Sequence, residues 1–218
     1  MALDAICLSA VVKEFAPLLE GTRIEKIQQP ARDQIVLLLR HHRLLLNAGA
    51  NQPRVHLTTQ LRDNPAQPPM LCMLLRKHLE NGMIISIEQG GLDRWLDITI
   101  MIRNEIGDRV ERHLYIELMG KYANVILVDE HEKILDALKR IPPFQNNQRT
   151  IQPGASFKKP KAQEGKQNPF ENCTLDLSQS LTSQLHGFSP VLSKEVLYRM
   201  DKGELFEDIM KQIESSEN

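Results

Sequence analysis

The sequence predicts an α+β fold, and three observations carry that reading. Up to residue 141, short apolar or alternating runs bounded by Gly, Pro, Asn and Asp recur at close spacing, the pattern of antiparallel strands. Only two segments of that stretch show helical periodicity. After residue 172 the chain changes character and turns helical. Many strands with few helices bury their apolar faces as a β-sandwich or barrel with helices laid against it.

Taken in order, residues 2–19 place Leu3, Ile6, Cys7, Val11, Val12, Phe15 and Leu18 at helical spacing, with Pro17 and Gly21 marking the stop. Strands follow at 22–28, 34–40, 43–47 and 54–57, with His41 and His42 in the turn between the second and third. A loop over 64–69 leads into a second helix, 70–81, ended by Gly82. Strands resume at 83–88, 95–103 and 111–119, with a Gly-containing hairpin turn over 104–109, and 125–128 and 133–138 complete the set. Gly120-Lys121-Tyr122-Ala123 forms the tight connection before 124–128, with Lys121 on its exposed tip. The strand after it is apolar at nearly every position, which predicts cover on both faces.

Residues 142–172 carry Pro142, Pro143, Pro153, Pro160 and Pro169 among many Asn, Gln and Lys, and predict an extended connection between a domain at 1–141 and a helical region at 173–218. There a helical run over 177–185 is closed by Gly187, Ser189 caps the next helix, and Pro190 sits in its first turn. His186-Gly187-Phe188-Ser189-Pro190 reads as a helix-hairpin-helix turn, followed by a third helix at 203–214.

Composition narrows the function classes. At 218 residues, 41% hydrophobic and 25% charged, the chain is an ordinary globular protein. No apolar stretch approaches a membrane span and no signal peptide is visible, so a cytoplasmic protein without membrane partners is expected. Cys7, Cys72 and Cys173 are odd in number and far apart, which predicts reduced thiols. The net charge of -1 hides an asymmetry: residues 139–166 hold seven bases against Glu164, and 171–218 hold nine acids against four bases. Such runs are more often solvated linkers than phosphate-binding strips.

Little here suggests catalysis. The seven His are scattered without zinc-site spacing, Gly120-Lys121 lacks the upstream glycine of a P-loop, and Ser9 has no partner that sequence identifies. No metal and no cofactor is expected. Asp93-Arg94 is the more informative pair, because Gly90-Gly91 frees the backbone before it and Trp95 anchors the loop after it. On residues alone, an Asp-Arg turn with local pairing is the commoner explanation.

Four ordered segments change that balance: Met1-Ala2-Leu3-Asp4, Pro69-Met70-Leu71-Cys72-Met73-Leu74-Leu75-Arg76-Lys77-His78-Leu79, Gly91-Leu92-Asp93-Arg94, and the run from Glu117 to Asp129. Together they resemble the NFACT amino-terminal domain of RqcH-type ribosome quality-control factors, a family that includes proteins described as fibronectin-binding protein A. The resemblance implies a helix-flanked β-sandwich similar to the amino-terminal domain of formamidopyrimidine-type DNA glycosylases, followed by a partial helix-hairpin-helix region. Glycosylase chemistry itself is excluded, because Ala2, Leu3 and Asp4 stand where those enzymes have a terminal proline and a glutamate.

The resemblance further implies a binding module, not an enzyme. Such a factor binds the large ribosomal subunit carrying a stalled peptidyl-tRNA and recruits alanyl-tRNA, so that the nascent chain gains an untemplated alanine tail. Carried over, the tRNA-binding residues are Asp4, Asp93 and Arg94, and Ala5 follows Asp4 where many relatives have glycine. Arg can take phosphate or a guanine edge, and Asp accepts from base amino groups. Arg76 and Lys77 are weaker candidates for RNA contact. A different class, an adhesin that binds fibronectin, is the alternative.

Overall fold

Alternation in the predicted strands resolves into two antiparallel sheets. β1 (Ile24–Ala31), β2 (Gln34–Leu39), β3 (Arg43–Asn47) and β4 (Arg54–Leu57) form a four-stranded sheet. β5 (Met83–Gln89), β6 (Trp95–Arg103), β7 (Arg109–Glu117), β8 (Asn124–Val128) and β9 (Ile134–Ala137) form a five-stranded one. Strand order follows the sequence within each sheet, as hairpin connections require. The computed structural model describes residues 3–60, 62–145 and 149–215. Met1 and Ala2, which open the first motif and the first predicted helix, lie outside the described residues, as do 146–148 of the proline-rich segment and the last three residues.

Two helices cover the sheets, α1 (Ala5–Leu19) and α2 (Met70–Leu79). One apolar core joins Leu8, Phe15 and Leu19 of α1 and Leu75 and Leu79 of α2 to both sheets. In the three central strands of the five-stranded sheet burial alternates with a period of two: Leu96, Ile98 and Ile100 of β6, Leu114 and Ile116 of β7, and Val125 and Leu127 of β8 face that core. Trp95, Tyr115, Ile126 and Val128 point the other way, into a smaller apolar cluster. Both faces of β8 are therefore covered, as its composition predicts.

The cover on that second face comes from the proline-rich segment, which does more than connect. Ile151 is buried in the cluster and bridges to Ile141. Phe157 stacks on Tyr115 with ring centroids 4.1 Å apart. Arg149 donates both terminal nitrogens to the carboxylate of Glu117, itself buried, in a bidentate pair.

The helical tail consists of α3 (Leu181–Gln184), α4 (Pro190–Asp201) and α5 (Phe206–Ser215). α3 is shorter than the predicted run over 177–185. Asp176 explains this, since its side chain accepts from the Ser178 backbone N–H and from Gln179, a local turn that competes with helical bonding. α5 begins after the predicted 203 because Gly203, at φ 95°, and an Arg199–Glu204 ion pair finish α4. Leu181, Leu185, Val196, Ile209 and Met210 of the tail pack with Ile6 of α1 in a cluster of their own. Among the described residues, no helix is long and apolar enough to cross a membrane.

Candidate functional site

Asp4 is the N-cap of α1, and its Oδ1 accepts from the Cys7 backbone N–H at 2.8 Å. That bond satisfies one of the helix's free donors and is worth about 1 kcal/mol. The other carboxylate oxygen accepts from Ser189 Oγ at 2.7 Å. Ser189 is the N-cap of α4 and accepts from the Leu192 N–H at 3.1 Å. One hydrogen bond thus joins two helix starts and sets two positive dipole ends side by side. Ala5, buried in the first turn of α1, leaves this cap intact. Burial and the charge of Asp4 push the Cys7 thiol up.

Asp93 lies in the loop from β5 to β6. The loop is shaped by Gly90, where a Cβ would come within 2.0 Å of the Trp95 ring, so the indole packs directly on backbone. Asp93 is buried and Oδ1 accepts from Gln163 Nε2 at 3.0 Å, with His186 Nε2 at 3.2 Å. Gln89 Nε2 donates to the carbonyls of both Asp93 and Ala5 at 2.9 Å. Asp93 therefore ties the proline-rich segment and the turn before α4 to the loop. Gly187 of that turn has φ 79°, which favours glycine.

Arg94 is different. Its carbonyl accepts from the Leu118 N–H at 2.8 Å, but its guanidinium makes no hydrogen bond or ion pair among the described residues. It lines an open pocket of about 360 Å³ together with Asp4, Gln163, Lys166, Gly187 and Ser189. The structure thus brings Asp4 and Arg94 to one pocket and places Asp93 behind its wall. Two cations, Arg94 and Lys166, stand in the pocket against one carboxylate, Asp4, whose oxygens are already bonded to Cys7 and Ser189, and the excess positive charge can take phosphate or another anion.

Arg76 and Lys77 are elsewhere. Arg76 Nε donates to the Ile27 carbonyl at 2.8 Å and lies 3.7 Å from Glu80, so it packs α2 against β1. Lys77 is exposed, 3.7 Å from Glu105, near the Arg103 end of β6. That end is roughly 25 Å from Trp95 at ordinary strand rise.

Gln163, Lys166 and His186 had no local signal as site residues. The basic run supplied only a hint, and it does not act as one strip: Lys139 donates to the Ala48 carbonyl, Arg140 pairs with Asp136, and Lys159 lies over Trp95. Of that run, Lys166 lines the pocket. No group of three or more His, Cys, Asp or Glu is arranged to hold a metal among the described residues.

Comparison with known proteins gives these residues a context. The family model of NFACT N-terminal and middle domains matches residues 4–217. The protein described as Rqc2 homolog RqcH from Bacillus subtilis (strain 168) is 40% identical over 215 residues, covering 91% of this chain and 38% of that protein. The chain accordingly spans well under half the length of that relative. The solved N-terminal domain of fibronectin-binding protein PavA from Streptococcus pneumoniae superposes with a TM-score of 0.85 at 35% identity, covering 96% of this chain and 87% of that one. The fibrinogen-binding protein from Staphylococcus aureus gives 0.83 at 33% identity, covering 98% and 83%.

Proposed function

The chain belongs to the family of NFACT N-terminal and middle domains, and on that premise we propose that it is the tRNA- and ribosome-binding module of a ribosome quality-control factor. In this reading the protein binds large ribosomal subunits with stalled peptidyl-tRNA in the cytoplasm and recruits alanyl-tRNA for untemplated tailing. It performs no catalysis of its own. The observation that supports the reading is the convergence of Asp4 and Arg94, distant in sequence, on one pocket that also holds Lys166.

The roles of the three residues differ. Arg94 makes the direct contact, since its donors are uncommitted, and it can take a phosphate or stack on an unpaired base. Asp4 and Asp93 shape the pocket, because their oxygens already serve Cys7, Ser189, Gln163 and His186. Within the same proposal, residues 1–141 are a glycosylase-like sandwich domain, 142–172 its connecting segment, and 173–218 a helix-hairpin-helix region. Gly187 at φ 79°, the Ser189 cap and Pro190 at the start of α4 support the last assignment.

Affinity purification from the native host tests this. The protein is expected to carry large subunits and to be enriched for alanine-accepting tRNA. Arg94→Ala is expected to lose at least about fivefold of that enrichment, the lower end of what one base-reading arginine contributes, while keeping the subunits. Undiminished tRNA in the variant sinks the site assignment. The descriptions of the two structural relatives favour a second reading, binding of fibronectin or fibrinogen. Tight fibronectin binding with no tRNA enrichment would establish that reading instead.

A further inference from the structure

We propose that the Arg103 end of the five-stranded sheet is a second nucleic-acid surface, one that takes the phosphodiester backbone of RNA. Arg23, Lys77, Arg103 and Arg109 line an open cleft there of about 440 Å³. This surface is independent of the Arg94 pocket, which lies at the opposite end of β6.

The charges are arranged at a cost that a free surface does not explain. Arg103 and Arg109 are direct cross-strand partners on β6 and β7, and like charges placed opposite each other destabilise a sheet. Arg23 Nη1 donates to the Asn81 carbonyl at 3.0 Å and Arg103 Nη1 to the Gly107 carbonyl at 3.1 Å. Each guanidinium is thereby held through one nitrogen, with its remaining donors uncommitted among the described residues. None of Arg23, Arg103 and Arg109 forms an ion pair among the described residues. Lys77 has Glu105 at 3.7 Å, but both side chains are well exposed, at 67% and 89%, and such a pair contributes little. The carboxylate in the lining, Glu80, is turned to β1, where it accepts from the Ile27 N–H at 2.9 Å.

The chemistry of the cleft selects the ligand. Guanidinium forks match phosphate oxygens, and several in one cleft suit a polyanion. No Phe, Tyr or Trp lines it, so it lacks a platform on which bases stack. None of its apolar residues is among the exposed large ones, so it lacks the apolar anchor of a protein interface. Positive, open and without aromatic rings, the cleft fits a backbone contact that fixes position without reading sequence.

The test uses the 218-residue chain and a blunt, loop-free RNA duplex, with anisotropy recorded across a salt series. Arg103→Glu/Arg109→Glu is expected to weaken binding about tenfold or more at low salt and to lower the log–log salt slope by about 2. Lys211→Ala, exposed on α5 and outside both sites, is expected to stay within about twofold on this probe. Thermal melts establish that the variants are folded. If the double reversal does not fold, Lys77→Glu, exposed on α2, is expected to lower the slope by about 1. Wild-type affinity and slope in the folded reversal variants overturn the proposal. Tight binding of polyglutamate with no binding of the duplex overturns it equally, in favour of an acidic protein partner.

Discussion

Asp93 and Arg94 are neighbours in sequence with opposite situations, and the difference sets what each substitution does. Asp93 is buried with Gln163 and His186 on one oxygen. Replacing it with Ala strands both partners, and unfolding by denaturant is expected to show a loss of about 1–3 kcal/mol. Asp93→Asn keeps an acceptor for Gln163 and is expected to cost less. Arg94→Ala, by contrast, removes a guanidinium with no hydrogen-bond or ion-pair partner among the described residues, and stability is expected to change by no more than about 0.5 kcal/mol. If the two Ala variants destabilise equally, the division between a buried tie and a free contact residue is wrong. This contrast was not visible in the sequence, where Asp93-Arg94 reads as a local turn. The partners that bury Asp93 lie 70 and 93 positions away, beyond the reach of any local pattern.

At the scale of elements, strands whose apolar and polar residues alternate were legible because period-two burial is a local property. β3, β4 and β6 begin and end where the sequence places them. The proline-rich segment was not, because what fixes it is a charge pair across 32 positions, Arg149 with Glu117. Glu117 is 2% exposed, and Arg149→Met leaves that buried carboxylate without its bidentate partner. The expected loss is about 3–5 kcal/mol by denaturant unfolding, the range for breaking a buried pair. Arg149→Met with Glu117→Gln is expected to recover part of it, and no recovery would mean that Arg149 acts through packing on Phe157. The same sheet face carries a proton-linked pair. His113 Nδ1 lies 3.1 Å from Asp97, and that hydrogen bond holds the imidazole above its ordinary value despite the opposing effect of burial. The folded chain therefore binds this proton more tightly than the unfolded chain. The contribution is complete below the unfolded value of about 6.5 and is lost as pH rises through the folded one. Denaturation midpoints are expected to fall more steeply above about pH 6.5 in the wild type than in His113→Gln. Parallel profiles would show the pair to be uncoupled from stability.

For the whole molecule, the Arg94 pocket exists only because the helical tail is docked. Asp4 and Arg94 belong to the sheet-bearing part, whereas Gly187 and Ser189 belong to the turn before α4. Among the contacts that hold the parts together are the Asp4–Ser189 and Asp93–His186 hydrogen bonds and Ile6 of α1, buried among the tail's apolar residues instead of in the main core. Ile6→Ala removes the apolar member of this set. Its expected cost is about 2–5 kcal/mol, drawn from docking of the tail more than from the sheets, whose core includes Leu8 and Phe15 of the same helix but not Ile6. Hydrogen exchange is then expected to quicken through α3, α4 and α5 while amides of β6 and β7 keep their protection. On the proposed function the split extends to RNA: the variant is expected to lose tRNA enrichment through the Arg94 pocket and to keep duplex binding through Arg103 and Arg109, whose strands pair with each other and, among the described residues, not with the tail. Uniform acceleration of exchange would show instead that tail and sheets unfold as one unit, and loss of both RNA activities together would deny that the two surfaces are separate.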